Sequence, residues 1–247
     1  MEAVKFTLSG QTAFFKKPDV NEYCYFTYGH IHKVALLGIL GAIVGYTGYG
    51  TKLQDVKKEK NFSKDYPEFY KKLRQIKIAI VPKNEKGYIP KKIQIFNNSV
   101  GYANKDGNLI VKEQWLENPV WDIYILINCD EAEYIASYIE KNRCIYYPYL
   151  GKNDHPADIM NVKRLTVSNI NEKEIKISSL FLERIGKTIK LGEYDDIDII
   201  RYCERLPIAL NPYTNLYEYE DFCYTNARIN VINGELYKCQ SDVLQFF

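Results

Sequence analysis

Tyr28, His30, His32 and Lys33 stand together just ahead of an uncharged run, Val34 to Val44. If that run is a helix, the four residues lie at its amino end. There, unbonded N–H groups, the positive end of the helix dipole and a lysine favour an anion such as phosphate. A core helix that merely begins with two histidines is the plainer alternative. Histidines two residues apart on a helix point to different faces, so the pair makes a poor joint metal site. Neither a metal nor a cofactor is expected, and no Walker loop, dinucleotide fingerprint, G-x-S-x-G elbow or H-E-x-x-H helix occurs.

A second concentration follows later in the chain. Cys144 to Asp158, CIYYPYLGKNDHPAD, brings tyrosines including Tyr147 beside Lys152, Asn153 and His155. Such a loop can stack bases on tyrosine and hold phosphate with Lys152 and Asn153. It can equally be a tyrosine-rich turn packed on a sheet edge. Phe14-Phe15-Lys16-Lys17 is a further basic and aromatic loop. Metal-free RNA cleavage would need a base for a 2′-hydroxyl and a cation for the phosphorane, roles open to His32, Tyr28 and Lys33.

Positioning these residues calls for a substantial core, which 247 residues can bury as one large domain or two small ones. Hydrophobic residues make up 46% and charged residues 26%, ordinary values for a globular chain. The run from Val34 to Val44 is too short to span a bilayer, which takes about 20 residues. No signal segment is read at the amino end, so a cytoplasmic protein is expected. Six cysteines without a C-x-x-C pair point to reduced, buried thiols. Net charge is +2 but uneven: residues 1–120 hold 19 Lys+Arg against 11 Asp+Glu, and residues 121–247 hold 14 against 20. A basic half beside an acidic half suggests nucleic acid on one surface and protein on another.

Alternation predicts a strand over 3–9, and the apolar run predicts a buried helix. Gly38, Gly41, Ala42 and Gly45 recur at spacings of three and four along one flank. Glycine costs roughly 1 kcal/mol against alanine in a helix, so that flank implies a close neighbour, sheet or helix. A solvated helical connection over 52–75 precedes a strand over 76–81. An irregular hairpin follows, with Lys105 in its turn, and then a strand over 120–128. Asp130 with Glu133 resembles a capping box for a helix over 131–142. Cys144 to Tyr149 and Val162 to Val167 are candidate closing strands. The order βαββαβ gives an α+β class, ferredoxin-like as in RNA-recognition domains, over 1–170. Residues 171–247 read as a small β-rich second unit, with Asn233-Gly234 as a hairpin turn.

Three stretches together resemble one family. F-T-Y-G-H-I-H-K-V-A-L-L-G-I-L-G-A-I (Phe26 to Ile43), N-N-S-V-G-Y (Asn97 to Tyr102) running into L-E-N-P-V-W-D-I-Y-I (Leu116 to Ile125), and Y-P-Y-L-G-K-N-D-H (Tyr147 to His155) look like the fifth Cas family. These are RAMP-superfamily subunits of type I CRISPR Cascade complexes, and the likeness is to the I-B branch. The resemblance implies a modified ferredoxin-like fold with a thumb hairpin, here about 83–117. It also implies an RNA-binding, non-enzymatic role: holding the 5′ handle of the guide RNA (crRNA) and capping the filament of backbone subunits. The large subunit and target double-stranded DNA near the protospacer-adjacent motif would be the other partners. The handle would be gripped at Tyr28, His32, Lys33, Lys152 and Asn153, with Lys16, Lys17, His30, Tyr147 and His155 nearby. The thumb, with Asn97, Asn98 and Lys105, would lie over the first guide nucleotides. I-C members cut precursor RNA with a tyrosine and an adjacent lysine-histidine pair. No such pair occurs here, since His32-Lys33 runs in the reverse order. A metal-independent endoribonuclease is the alternative function.

Overall fold

The computed structural model describes residues 1–19, 23–50, 66–98, 109–188 and 199–247. The expected strand is β1, Glu2–Ser9, and a short β2, Thr12–Ala13, follows it. Helix α1 spans Lys33–Val44, and α2, Glu68–Leu73, leads into β3, Ile78–Pro82. The hairpin is β4, Lys91–Asn98, with β5, Leu109–Glu117; its turn, with Lys105, lies outside the described residues. Then come β6 (Val120–Ile127), α3 (Asp130–Glu140) and β7 (Asp158–Thr166).

Strands β3, β6, β1 and β7 lie side by side in that order, every pairing antiparallel. The register sets Val4 opposite Ile125, Phe6 opposite Ile123 and Leu8 opposite Trp121, all fully buried. This apolar face takes the helices, because side chains alternate across a strand and only one face carries the large hydrophobics. Ala132, Ile135, Ala136 and Ile139 line the buried side of α3, the spacing of one helical stripe. Helix α1 is apolar nearly all round, and it is buried nearly all round, between α2, α3 and a strand from the C-terminal part.

The small flank of α1 meets a helix. A Cβ on Gly41 would stand 2.6 Å from the Cβ of Phe69 on α2, so that approach exists only with glycine. Gly45 ends the helix at φ 85°, with its own N–H bonded to Ala42 and that of Tyr46 to Gly41. This is the glycine-terminated turn that satisfies the last carbonyls.

The remaining strands are β8 (Ser168–Ile170), β9 (Glu174–Ile175), β10 (Phe181–Leu182), β11 (Gly186–Thr188), β12 (Arg201–Leu210), β13 (Tyr217–Thr225), β14 (Ile229–Val231), β15 (Leu236–Cys239) and β16 (Asp242–Leu244). Ile177, Leu180, Leu206, Phe222 and Ile229 join the same apolar core as Val4 and Phe6. The second face of the four-stranded sheet is covered at one end by β15 and β16. Tyr237, Leu244 and Phe246 pack there on Ala3, Ala79, Val81 and Leu126, and Tyr124 donates a hydrogen bond to Asp242 at 2.7 Å. RNA-recognition domains stack bases on an open sheet face; here the chain's own end occupies it.

Four expectations are corrected. Residues 144–149 form no strand, because Ile145 and Tyr146 donate to carbonyls at the end of α1 instead, and β7 alone closes the sheet. The capping box at Asp130 does not form: Cys129 is the N-cap without a side-chain bond, and Arg164 takes the Glu133 carboxylate. Asn233-Gly234 does not join a hairpin, since β14 pairs with β9 and β11 while β15 pairs with β8 and β16. The Ile185 carbonyl accepts from both Ile232 and Asn233 and turns the chain between two sheets. Finally, Cys203 and Cys223, direct cross-strand partners on β12 and β13, form a disulfide. Those two sulfurs and Glu183 make the one metal-ligand grouping among the described residues, and the sulfurs are bonded to each other. Thiol labelling of the unfolded, unreduced protein is expected to modify four cysteines, Cys24, Cys129, Cys144 and Cys239; six labelled thiols would contradict the pairing.

Candidate nucleic-acid interface

Residues 14–19 and 23–28 lie against each other, with Lys17 N–H bonded to Phe26 and Tyr28 N–H to Phe15. Tyr25 joins this loop to β5 by donating to Lys112 and accepting from Gln114. On its other side Phe14 N–H bonds the Leu150 carbonyl, which brings in the tyrosine-rich loop. Gly151 sits there at φ 94°, and a Cβ on it would run into the Phe14 carbonyl. Only glycine fits both the left-handed backbone and that approach.

Between these loops and one side of α1, from His32 on past its end to Gly50, lies a cavity of about 1080 Å³. His32, Lys16, Tyr147 and Lys152 all line it. Its walls carry seven tyrosines: Tyr25, Tyr46, Tyr49, Tyr146, Tyr147, Tyr149 and Tyr217. Gly38 and Ala42 form part of the α1 wall, so the flank that admits Phe69 also leaves this space open. Tyr147 is 90% exposed at the rim. Lys16 Nζ sits 3.8 Å from the centre of the Tyr25 ring, a cation–π contact that leaves its charge at the surface. Lys152 is instead held by Glu113 at 3.1 Å and by Asp154 at 3.5 Å. Glu113 is buried and also accepts from Trp115 Nε1 at 2.8 Å.

All three histidines are inside the protein. His32 is 3% exposed and is the N-cap of α1: its Nδ1 accepts from Ala35 N–H at 3.2 Å. The expected phosphate cradle at the helix start is therefore partly filled by an imidazole. Burial lowers the His32 pKa to about 3, so the ring is neutral. His30 is fully buried; its Nδ1 accepts from Trp121 Nε1 at 3.1 Å, and burial lowers its pKa to about 4 against the pull of Glu204. His155 is fully buried too, with Nδ1 2.6 Å from Thr12 Oγ1 and its ring edge-on to Trp115. His30 and His155 are thus core residues, and the expectation that they reach a ligand is corrected.

Tyr28 is 3% exposed, its hydroxyl donates to Tyr219, and burial pushes its pKa far up. It cannot provide a phenolate near neutral pH. Lys17 pairs with Glu204 at 3.0 Å, and Glu204 also accepts from Gly29 N–H and the Tyr202 hydroxyl. Lys33 is half-buried outside the cavity, with its pKa lowered to about 8 by burial and then by Lys77. Asn153 is exposed in the turn beside Lys152, and Asn97 is exposed on β4. Asn98 pairs through its backbone with Leu109.

Tyr46, Tyr49, Tyr217 and Glu113 escaped the sequence reading. Tyr46 and Tyr49 follow the glycine that ends α1, and that proximity was the available signal. Tyr217 reaches His32 from β13, with ring centroids 5.3 Å apart, and nothing local marks it.

No family model and no curated protein matches the chain. Among solved structures it is similar to a CRISPR protein from Archaeoglobus fulgidus, at 10% identity and a TM-score of 0.52. That likeness spans 99% of this chain and 98% of that one. It is also similar to a chain of a CRISPR RNA-guided surveillance complex, again at 10% identity and 0.52, over 93% and 91% of the two chains. The chain shares its fold with these CRISPR proteins along nearly its whole length. No helix among the described residues is long and apolar enough to cross a membrane.

Proposed function

We propose that the chain is a non-enzymatic RNA-binding subunit of a type I CRISPR surveillance complex, a fifth-family Cas protein of the I-B branch with a modified ferredoxin-like fold. It holds the 5′ handle of the guide RNA, caps the backbone filament and adjoins the large subunit near the protospacer-adjacent motif. The observation that carries this is the tyrosine-walled cavity. His32, Lys16, Tyr147 and Lys152, far apart in sequence, meet at it, in a fold resembling that of a chain from an RNA-guided complex. Aromatic walls with cations at the mouth suit single-stranded nucleic acid, whose bases stack while its phosphates stay in water. Tyr28, held protonated, and His32, held neutral and spent as a helix cap, support binding over cleavage.

The test is to sequence RNA that co-purifies with the assembled complex and to map what crosslinks to this chain. Handle nucleotides are expected; spacer nucleotides alone, or none, would refute handle binding. Lys16→Ala is expected to weaken RNA binding across sequences and reduce the salt slope by about 1. Glu113→Gln releases Lys152 from its carboxylate and is expected to do the opposite, tightening binding and steepening the slope. Binding titrations over a salt series read both, and an unchanged slope in both variants would count against this groove.

A further inference from the structure

We infer that the cavity beside α1 receives one unstacked base of a single-stranded RNA, with an acceptor on the base edge meeting the Nε2–H of His32. The inference rests on the RNA-binding role proposed for the same site and adds what enters and how it is held.

The tautomer follows from the helix cap. Nδ1 accepts the Ala35 N–H, so it carries no proton, and in a neutral imidazole the proton then sits on Nε2. Among the described residues no acceptor is bonded to Nε2, and His32 lines the cavity while being almost wholly buried. The buried side-chain atoms without a partner among the described residues are on His30, His155 and Asn215 and not on His32, so Nε2 opens onto the cavity, where a ligand acceptor can take the place of water. Rings hold it in place: Phe15, Tyr28 and Tyr217 all stand edge-on to the imidazole, with centroids 5.2 to 6.2 Å away.

The surroundings select the acceptor. A phosphate at this depth would lose its water and meet a neutral ring among phenols and the small residues Ala35, Gly38 and Ala42. A charge without a partner is not placed there. A base carbonyl or ring nitrogen asks for one hydrogen bond and offers two π-faces to the tyrosine walls. Volume agrees, since small-molecule cavities run to about 1000 Å³ and this one admits a base with part of its ribose. The phosphates on either side would then lie at the mouth, beside Lys16. One donor does not specify one base, so the predicted preference is for a base exposed to the pocket rather than for a sequence.

The full-length chain is irradiated with a mixed-sequence 12-nucleotide RNA carrying a single 5-iodouridine, walked through each position, and the crosslinked peptides are sequenced. Crosslinks are expected at the cavity-wall tyrosines Tyr217, whose ring centre lies 5.3 Å from that of His32, and Tyr149. Ala35→Leu fills the cavity from α1; it is expected to abolish those crosslinks and weaken binding about tenfold, within the range for one stacked base. Gly38→Leu closes the same space from the next turn and is expected to act alike, which covers the case where either variant folds poorly. His32→Ser keeps a capping oxygen but leaves no donor where Nε2 stood; it is expected to weaken binding while the far-UV circular dichroism stays that of the folded chain. Crosslinks confined to tyrosines outside the cavity, such as Tyr23, Tyr88 or Tyr213, would overturn the pocket but leave RNA binding standing. A wild-type chain that binds no RNA would overturn both.

Discussion

Lowering the pH from 6.5 to 4.5 is expected to reduce the unfolding free energy by roughly 5 kcal/mol through His30 and His32 alone. Each is buried with Nδ1 already accepting an N–H, from Trp121 and from Ala35. A second proton would set donor against donor at Nδ1. Burial lowers the folded pKa values to about 4 and about 3. The unfolded chain takes up a proton on each ring near pH 6.5. From about a pH unit above 6.5 both states are neutral and these rings add no pH dependence. Below it the unfolded state alone binds protons, so stability falls by up to about 1.4 kcal/mol per pH unit for each ring. The loss ends only when the folded rings titrate, near pH 4 and pH 3. His155, lowered by burial and then by Lys152, acts in the same direction. Urea unfolding at half-unit pH steps measures the effect. The interval from 6.5 to 5.5 is the most telling because ordinary carboxylates titrate below it, and a flat profile there would contradict the buried, neutral rings.

Gly41→Ala is expected to destabilise the fold by about 2 kcal/mol, although alanine is the better helix former by roughly 1 kcal/mol. The new Cβ would meet Phe69 at 2.6 Å from its Cβ and 3.7 Å from its Cα, so α2 itself must move. Gly38→Ala, three residues earlier on the same flank, is expected to stabilise by up to about 1 kcal/mol. There the nearest atom is Phe69 Cε2 at 3.9 Å, an ordinary contact. Denaturant midpoints of the two variants should therefore move in opposite directions. Equal shifts would mean that the flank does not seat α2.

The sequence made legible what is periodic and local. Eleven uncharged residues with glycines at helical spacing gave α1 and the need for a close neighbour; alternation gave β1 and β6, and a short apolar run before Pro82 gave β3, each within a residue or two. Properties set by distant partners were hidden. Cys203 and Cys223 become neighbours only once the register of β12 on β13 is fixed. Asn233-Gly234 carries good turn chemistry, but two bonds to the Ile185 carbonyl decide where the chain goes. At the candidate site, Lys16, His32, Tyr147 and Lys152 stood out by their types, and they share a cavity. That His30 and His155 would be enclosed was not legible, because the enclosing rings of Trp121 and Trp115 come from other strands. Glu113 was equally hidden, and its pairing with Lys152 leaves Lys16 the more open cation of the two.

The most direct measurement is a structure of the chain with the proposed guide RNA bound. The account predicts a ribose-phosphate chain crossing the cavity mouth between Lys16 and Tyr147, near the His32 end of α1. RNA running over another surface, with nothing but solvent between the loop at Lys16 and the loop at Lys152, would contradict it.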